Sequence, residues 1–314
     1  MKSIDFISRP IKKSSKFLGR ALKLSLSGDI HGLEREITKS ALDYGIPGNA
    51  IGGAIRARRI ASAPIHFMRQ RAAAKTISDT SPYANFIDAN NGYRIFSTHD
   101  LPGIINAVEI GSRFFNDKKN EHRGQGTKPF FSNICEEADL EHYPDLLSFP
   151  RSKPVFDMSA SYLRAMPKLS AFGIFYSPPN DMLEKSQMWH IDDEDFRQIK
   201  CFINLHDVGP TNGPFTFIPA QKSDQIRRKI GHGWRGRRLE DAEIMAHCEP
   251  GDIISVTGGP GTGVFVDTSR CLHFGSRARG GHRLVMMFQY TRTPDLNFVN
   301  KDSRKTRSIL LRDH

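Results

Sequence analysis

Cysteine and long apolar runs are scarce in this sequence. Its 314 residues include four widely spaced cysteines, Cys135, Cys201, Cys248 and Cys271. Because they form no C-x-x-C pair, neither a disulfide framework nor a structural zinc site is expected, and the thiols are predicted to be reduced. No stretch approaches the roughly 20 apolar residues of a membrane span, and the first residues contain no apolar core of a signal peptide. These absences predict a cytoplasmic protein.

Tryptophan is also rare, with two residues, whereas phenylalanine is abundant, with 21. The aromatic fraction of 10% and the hydrophobic fraction of 38% exclude a chain that is disordered over most of its length. The chain is long enough for one large core and a smaller appendage. Size and composition therefore allow a globular enzyme.

The positive charge is concentrated at one end of the chain. The formal net charge is +11, and residues 1–80 contain fifteen Lys and Arg against six Asp and Glu, a local balance of +9. The remaining residues are close to neutral, at +2. This asymmetry divides the sequence into a basic helical N-terminal region, 1–80, and a charge-balanced body, 81–314.

Three basic segments make up the N-terminal region. Residues 11–26 have helical spacing, with one basic and one apolar face: Lys12, Lys16, Arg20 and Lys23 against Phe17, Leu18, Ala21 and Leu22. Such a helix can lie on an anionic membrane surface, or it can pack its apolar face on the body. A second helical run at 33–44, a Gly-rich break at 45–53 and a third basic segment at 51–75, interrupted at Pro64, follow.

The body changes from helical to strand patterns. Helices are predicted at 101–115 and 153–166. Short strands are then predicted between Pro and Gly signals, at 171–176, 188–192, 200–208, 214–219, 252–257, 263–266 and 283–291. A series of this kind is typical of a sandwich or barrel. The polar interval 222–247 interrupts it and is interpreted as a helical or loop insertion.

His190 and Asp192 are the first candidate pair for chemistry. Alternate residues of a strand point to the same face, so an imidazole and a carboxylate at positions i and i+2 converge on one point. His273, which follows a strand-like run, is the candidate third ligand. Two His and one carboxylate on one face of an octahedron form the facial triad of non-haem Fe(II) oxygenases, which leaves three metal positions open.

Arg283 makes this assignment more specific. It begins an apolar strand ten positions after His273. A guanidinium that projects from such a strand into a barrel is a buried cation in need of a carboxylate, and the distal end of 2-oxoglutarate supplies one.

Four stretches around these residues resemble the phytanoyl-CoA dioxygenase family of 2-oxoglutarate oxygenases. They are F-Y-S-P-P at 175–179, Q-M-W-H-I-D at 187–192, K-C-F-I-N-L-H-D-V at 200–208 and N-G-P-F-T-F-I-P-A-Q-K at 212–222. The resemblance extends over about residues 100–293 and is sharp from 171 onward. It implies a mainly β fold with flanking helices, in which a double-stranded β-helix (jelly roll, cupin-like) forms the core.

The resemblance also implies the cofactor and the co-substrates. Fe(II) is bound by His190, Asp192 and His273, Arg283 binds 2-oxoglutarate, and O2 is consumed as a substrate is hydroxylated, with release of succinate and CO2. Family members often have Ser two residues after the distal His, where this chain has Gly275. Ser276, Gln187 and Tyr176 are therefore the secondary candidates for 2-oxoglutarate binding.

Simpler structural explanations are expected for other polar residues. The run Asp193 to Asp195 is predicted to be a solvated loop, and Trp189 to lie in the core. Four further histidines lack a partner at a convincing spacing and are predicted to be surface or structural residues: His206, His232, His247 and His282.

The substrate is predicted to be a small or carrier-linked molecule. Arg227 and Arg228 in the insertion favour an anionic substrate, although an ordinary solvated helix explains them nearly as well. Asp192 argues against a halogenase, in which chloride takes the place of the carboxylate. The alternative from another class is an inactive barrel that docks on anionic membrane or nucleic acid through its basic N-terminal region. Intact ligands argue against that alternative, and nucleic acid is not expected as a partner.

Overall fold

The computed structural model of the protein describes residues 23, 36–38, 40–41, 46, 48–62, 64–118, 130–233 and 236–292. Within these ranges the α-helices are α1 (Gly48–Ser62), α2 (Pro64–Thr80), α3 (Ile104–Lys118), α4 (Glu137–His142), α5 (Lys153–Leu163), α6 (Ala220–Lys229) and α7 (Asp241–Met245). Two short 3₁₀ helices span Pro144–Leu147 and Lys185–Gln187. No helix in these ranges combines the length and the apolar character needed to cross a bilayer.

The strands form two antiparallel sheets. They are β1 (Tyr93–Phe96), β2 (Ser132–Asn133), β3 (Pro167–Ser177), β4 (Gln198–Asn204), β5 (Phe215–Phe217), β6 (Ile254–Val256), β7 (Gly263–Val266), β8 (His273–Phe274) and β9 (Arg283–Arg292). The large sheet has the order β1-β7-β4-β9-β3-β2, and the small sheet has the order β6-β5-β8. Backbone bridges from Trp189 to Leu239 and from His190 to His273 extend the small sheet. Together the sheets form the jelly roll, as the sequence predicted.

The central strand of the large sheet is β9, which pairs with β3 on one side and with β4 on the other. Its residues are buried along nearly the whole strand, because helices cover one face of the sheet and the small sheet covers the other. Side chains therefore alternate between two environments. Met286, Phe288 and Tyr290 pack toward the helices, whereas Val285 and Met287 face the interior cavity.

Helix α3 packs against the helix-facing side of the large sheet. Its buried residues recur at helical spacing and form one face: Ile104, Ala107, Ile110, Gly111 and Phe114. A Cβ atom at Gly111 would lie 3.0 Å from a methyl group of Leu205 and 3.1 Å from the methyl group of Met286. Glycine at this position therefore lets the helix approach the sheet closely.

The observed elements correct several predicted boundaries. The segment 188–192 makes only isolated bridges and no continuous strand, β1 was not predicted, and the helices predicted at 101–115 and 153–166 run over Ile104–Lys118 and Lys153–Leu163. The prediction of a Gly-rich break at 45–53 is wrong in part, because α1 begins at Gly48. Tertiary contacts stabilise this helix despite its glycines, since Ile51 and Ile55 are buried with Ala41 and Phe196 packed against them.

Most of the predicted helices at 11–26 and 33–44 lie outside the described residues, so their membrane-binding or packing role stays a prediction. The division of the chain at residue 80 also stays a prediction.

Helix α2 contacts the body: Ala74 is buried, and Gln70 Oε1 accepts a hydrogen bond from the Met166 backbone N–H at 3.2 Å.

We expect Phe288→Ala to lower the free energy of unfolding by about 3–5 kcal/mol, because a fully buried ring on the central strand leaves a cavity. Urea unfolding followed by circular dichroism measures the change. Ile105→Ala on α3 is the control, since its side chain is 57% exposed and the cost should stay within about 0.5 kcal/mol. Equal effects of the two substitutions would contradict the placement of this core.

Candidate metal centre

Two backbone hydrogen bonds bring His190 and His273 together. The N–H of His190 donates to the carbonyl of His273 at 3.0 Å, and the N–H of His273 donates back to the carbonyl of His190 at 2.9 Å. Residues paired in this way in antiparallel strands stand side by side with their side chains on the same face. The ring centroids are accordingly 4.2 Å apart.

Asp192 joins the two imidazoles from the segment that contains His190. Its backbone N–H donates to the Thr268 carbonyl at 2.8 Å, which fixes the position of the residue. One carboxylate oxygen lies 3.6 Å from His190 Nε2, and the other lies 3.5 Å from His273 Nε2. These separations are close to the distance of about 3 Å between neighbouring ligand atoms around a metal with bonds of about 2.1 Å.

Backbone carbonyls orient both rings. His190 Nδ1 bonds to the Met188 carbonyl at 2.8 Å, and His273 Nδ1 bonds to the Cys271 carbonyl at 2.9 Å. Since a carbonyl only accepts, each Nδ1 carries the proton and each Nε2 presents a lone pair toward Asp192. Burial lowers the pKa of both imidazoles, and the proximity of His273 lowers the pKa of His190 further. Both rings are therefore neutral at pH 7, as metal ligands must be.

The three side chains form a cluster that could hold a metal ion, because one ligand atom from each lies within 4.8 Å of the other two. His190 and His273 are buried and Asp192 is 14% exposed. The structure thus brings together the three residues that the sequence singled out. A donor set of two imidazoles and one carboxylate fits a divalent transition metal and leaves coordination positions open.

Lys200 is a polar residue of this site that sequence reasoning missed. Its Nζ donates to Asp192 Oδ2 at 2.6 Å, and both side chains are nearly buried. Burial opposes ionisation of Asp192, but Lys200 and the two histidines outweigh it and hold the pKa of the carboxyl well below its usual value. The sequence places Lys200 and Phe202 on one face of a predicted strand, but which face turns inward depends on packing.

Arg283 is the other buried cation of the site. Its side chain is buried at the start of β9, and its Nε has no hydrogen-bond partner among the described residues. Burial lowers its pKa to about 10, so the guanidinium remains charged at neutral pH. No ion pair involving Arg283 occurs within the described ranges, although a buried cation is costly without one. This is the position in which an anion from outside the chain would be stabilised.

The cluster and Arg283 line the same cavity, which has a volume of about 310 Å³. Its walls are partly apolar and partly charged: Phe131, Phe175, Ser186, Ile191, Asp193, Glu194, Lys200, Phe202, Phe215, Arg238, Gly275, Ser276, Val285 and Met287 complete the lining. Aromatic and aliphatic walls around a few polar groups are typical of small-molecule sites.

The secondary candidates for co-substrate binding separate into two groups. Ser276 lines the cavity, and its Oγ accepts a hydrogen bond from Ser177 Oγ at 3.0 Å, so its own hydroxyl proton can donate to a ligand. Gln187 and Tyr176 do not line the cavity. The Gln187 amide donates to Asn180 and to the Ser276 carbonyl, each at 2.9 Å, and so supports the loop. Strand alternation turns Tyr176 to the helix-facing side, where it stacks on Phe115.

The acidic run after Asp192 is a loop, as predicted, and Glu194 is exposed. Asp193 and Glu194 also line the cavity, whereas Asp195 is buried and accepts the Arg292 backbone N–H at 2.8 Å. The loop therefore contributes to the cavity wall and its supports, and Asp195 is not solvated. Trp189 is buried in a core cluster with Leu239, as predicted.

The insertion contacts the cavity through a different arginine from those expected. Arg227 is partly buried beside Asp224, 3.5 Å away, and Arg228 is exposed on α6. Neither lines the cavity, whereas Arg238 does. No sequence signal distinguished Arg238, because its place depends on the pairing of Leu239 with Trp189.

Comparisons with known proteins give distant structural likenesses. A scan against protein-family models and a search of curated proteins both give no match. Similar solved structures include the apo form of EctD from S. alaskensis, with 15% identity over 70% of this chain and 80% of that chain and a TM-score of 0.46. Another is the non-heme alpha ketoglutarate dependent carbocyclase SnoK from nogalamycin biosynthesis, with 14% identity, coverage of 68% and 85%, and a TM-score of 0.45.

A third similar structure is the epimerase SnoN in complex with Fe3+, alpha ketoglutarate and nogalamycin RO, with 16% identity, coverage of 70% and 84%, and a TM-score of 0.42. At this distance no residue role is transferred to this chain. The functional argument therefore depends on the cavity and its residues.

We expect Lys200→Met to destabilise the metal-free protein by about 3 kcal/mol, because Asp192 would remain buried without its cation. Mn(II) should then stabilise the variant more than it stabilises the wild type, since the ion neutralises the same carboxylate. Thermal unfolding with and without Mn(II) measures both effects.

Lys222→Met is the matched control for this prediction. Lys222 pairs with Asp252 at 2.8 Å, but both side chains are in contact with solvent, so the loss of stability should be small. An equal response of wild type and Lys200→Met to Mn(II) would show that Lys200 does not neutralise Asp192.

Proposed function

We propose that the protein is a mononuclear non-haem iron dioxygenase that uses 2-oxoglutarate and O2 to hydroxylate a small-molecule or carrier-linked substrate. One observation carries the proposal: the His190, Asp192 and His273 cluster and the buried Arg283 share a single cavity. A metal on two imidazoles and one carboxylate has positions left for a chelating 2-oxo acid and for oxygen. A buried arginine in the same cavity suits the second carboxylate of that acid.

Each ligand residue would supply one atom to iron. His190 and His273 would each use Nε2, and Asp192 would use one carboxylate oxygen while Lys200 holds the carboxylate by Oδ2. When bound, iron and 2-oxoglutarate supply the oxidising chemistry, in which decarboxylation of the co-substrate to succinate and CO2 accompanies oxidation of the substrate. The chain itself orients these groups and excludes water from them.

Arg283 and Ser276 would bind the co-substrate. Arg283 can form a charge-assisted, bidentate pair with the distal carboxylate, and the Ser276 hydroxyl can donate one further hydrogen bond. The carbon that Gly275 lacks would lie only 3.5 Å from an Arg283 NH group, so glycine leaves the guanidinium accessible from the cavity. Phe202, whose ring centroid is 5.9 Å from the guanidinium carbon, shields this end of the cavity from water.

Membership of the phytanoyl-CoA dioxygenase family is part of this proposal. It is supported by the presence of the His-x-Asp pair, the distal His and the following Arg in one cavity. Asp192 occupies the ligand position that a halide would need, so we propose hydroxylation and not halogenation. A cytoplasmic location is likewise proposed, and the four free cysteines support it.

Anaerobic addition of Fe(II) and 2-oxoglutarate should produce the weak visible charge-transfer band of a chelated 2-oxo acid. His190→Ala, Asp192→Ala and His273→Ala should each abolish the band, because each removes one of three ligands. His142→Ala, an exposed histidine on α4, should leave the band unchanged. Full iron occupancy in all three ligand variants would refute the metal assignment.

Arg283→Ala should weaken 2-oxoglutarate binding by roughly thirtyfold, which corresponds to the loss of about 2 kcal/mol from a charged pair in a dry cavity. Iron binding should change little. Titration of the charge-transfer band with 2-oxoglutarate measures the dissociation constant. Arg279→Ala is the control, because Arg279 pairs with the exposed Asp181 outside the cavity. Unchanged binding in Arg283→Ala would mean that another cation holds the distal carboxylate.

A further inference from the structure

Arg238 enters the metal cavity from the insertion, between α6 and α7. Its neighbour Leu239 exchanges two backbone hydrogen bonds with Trp189, at 3.2 Å and 2.9 Å. In antiparallel pairing the next opposed residues are Arg238 and His190, and opposed residues share one face. The backbone thus directs Arg238 to the side on which His190 presents its imidazole.

The residues on either side of Arg238 are firmly held. Leu239 is buried beside Trp189. The carbonyl of Arg237 accepts a hydrogen bond from His232 Nε2 at 2.8 Å, and the Arg237 guanidinium pairs with Glu243. The backbone at 238 therefore has a defined position, although its side chain is exposed at the mouth of the cavity.

The side chain of Arg238 has no ion-pair partner among the described residues, unlike two arginines of the loop between β8 and β9. Arg277 forms a bidentate pair with Asp241, with both distances 2.8 Å, and Arg279 pairs with Asp181 at 2.8 Å. The Arg238 guanidinium lies in the field of Asp192, Asp193 and Glu194, but it forms no paired hydrogen bonds with a carboxylate among the described residues. Guanidinium groups bind carboxylates and phosphates with two parallel hydrogen bonds.

The other charged side chains of the cavity already have a partner or an assigned ligand. Lys200 pairs with Asp192, and Arg283 is assigned to the co-substrate by the proposed function. Glu194 accepts a hydrogen bond from Gln198 at 3.1 Å and lies 3.8 Å from Lys200, and Asp193 also has a partner. Among the described cations of the cavity, Arg238 is the one with neither a close carboxylate partner nor an assigned ligand.

The remaining walls favour an apolar group of modest size. Phe131 and Phe175 meet edge to face with ring centroids 5.5 Å apart, and both line the cavity with Met287. A volume of about 310 Å³ is at the lower end for small-molecule sites, and the co-substrate would occupy part of it. The space leaves room for a short apolar segment of a substrate next to the metal ligands.

We propose that the substrate of this enzyme bears a carboxylate or phosphate group that binds Arg238, while its apolar part packs on Phe131 and Phe175 beside the metal. This inference rests on the proposed function and adds a substrate class to it. Arg238 is the specificity residue: it holds the anionic end at the mouth, and the apolar part is then placed within reach of the iron.

The test uses the full chain loaded anaerobically with Fe(II) and saturating 2-oxoglutarate. Butanoate, butyl phosphate and the uncharged butanamide serve as probes, and perturbation of the charge-transfer band gives their dissociation constants. We expect the anionic probes to bind and Arg238→Gln to weaken them roughly tenfold or more. Arg228→Gln, an exposed arginine outside the cavity, should leave them unchanged. The tighter of the two anionic probes distinguishes a carboxylate from a phosphate substrate.

The outcomes separate the two proposals. If wild type forms no band with 2-oxoglutarate, the proposed function fails, and this inference fails with it. If the band forms normally in wild type and Arg238→Gln, but butanamide binds as well as butanoate or the variant binds the anions unchanged, only the Arg238 inference is overturned. Disappearance of the band on addition of an anion would place that anion at Arg283 and also count against it.

Discussion

The reciprocal backbone hydrogen bonds between His190 and His273 are the interaction on which the site depends. They place two imidazoles from distant parts of the chain side by side, and the hydrogen bond from the Asp192 backbone to the Thr268 carbonyl holds the carboxylate next to them. The backbone N–H and C=O groups of Trp189 point away from His273, to the opposite edge of the same segment, and form hydrogen bonds with Leu239. One edge of this short segment therefore positions the candidate metal ligands. The other edge positions the part of the insertion that lines the cavity.

The balance of charges explains how the site can be stable without a bound ligand. A nearly buried carboxylate between two neutral imidazoles would be costly alone, and Lys200 supplies its counter-charge at 2.6 Å. Arg283 has no such counter-charge among the described residues, so a bound anion would stabilise it. The cavity could therefore hold a metal at one position and an anion at another, which is the arrangement that the proposed function requires.

Strand patterns predicted a sandwich or barrel, and the spacing of His190, Asp192, His273 and Arg283 predicted the residues that meet at its centre, because both are local properties. The jelly roll itself was implied by the resemblance to the phytanoyl-CoA dioxygenase family. The sequence did not predict which neighbours would join these residues. Whether Phe175 or Tyr176 faces inward depends on the register that pairs Ser177 with Arg283. The contact between Lys200 and Asp192 and the approach of Arg238 depend on how separate segments pack together, which no local pattern encodes.

The most direct test of the central claim is a diffraction experiment on crystals grown anaerobically with Fe(II) and 2-oxoglutarate, with data collected at the iron absorption edge. One anomalous peak is expected, bonded to His190, Asp192 and His273, with the distal carboxylate of 2-oxoglutarate on Arg283. An iron peak elsewhere in the chain, or a distal carboxylate held by a different cation, would contradict it.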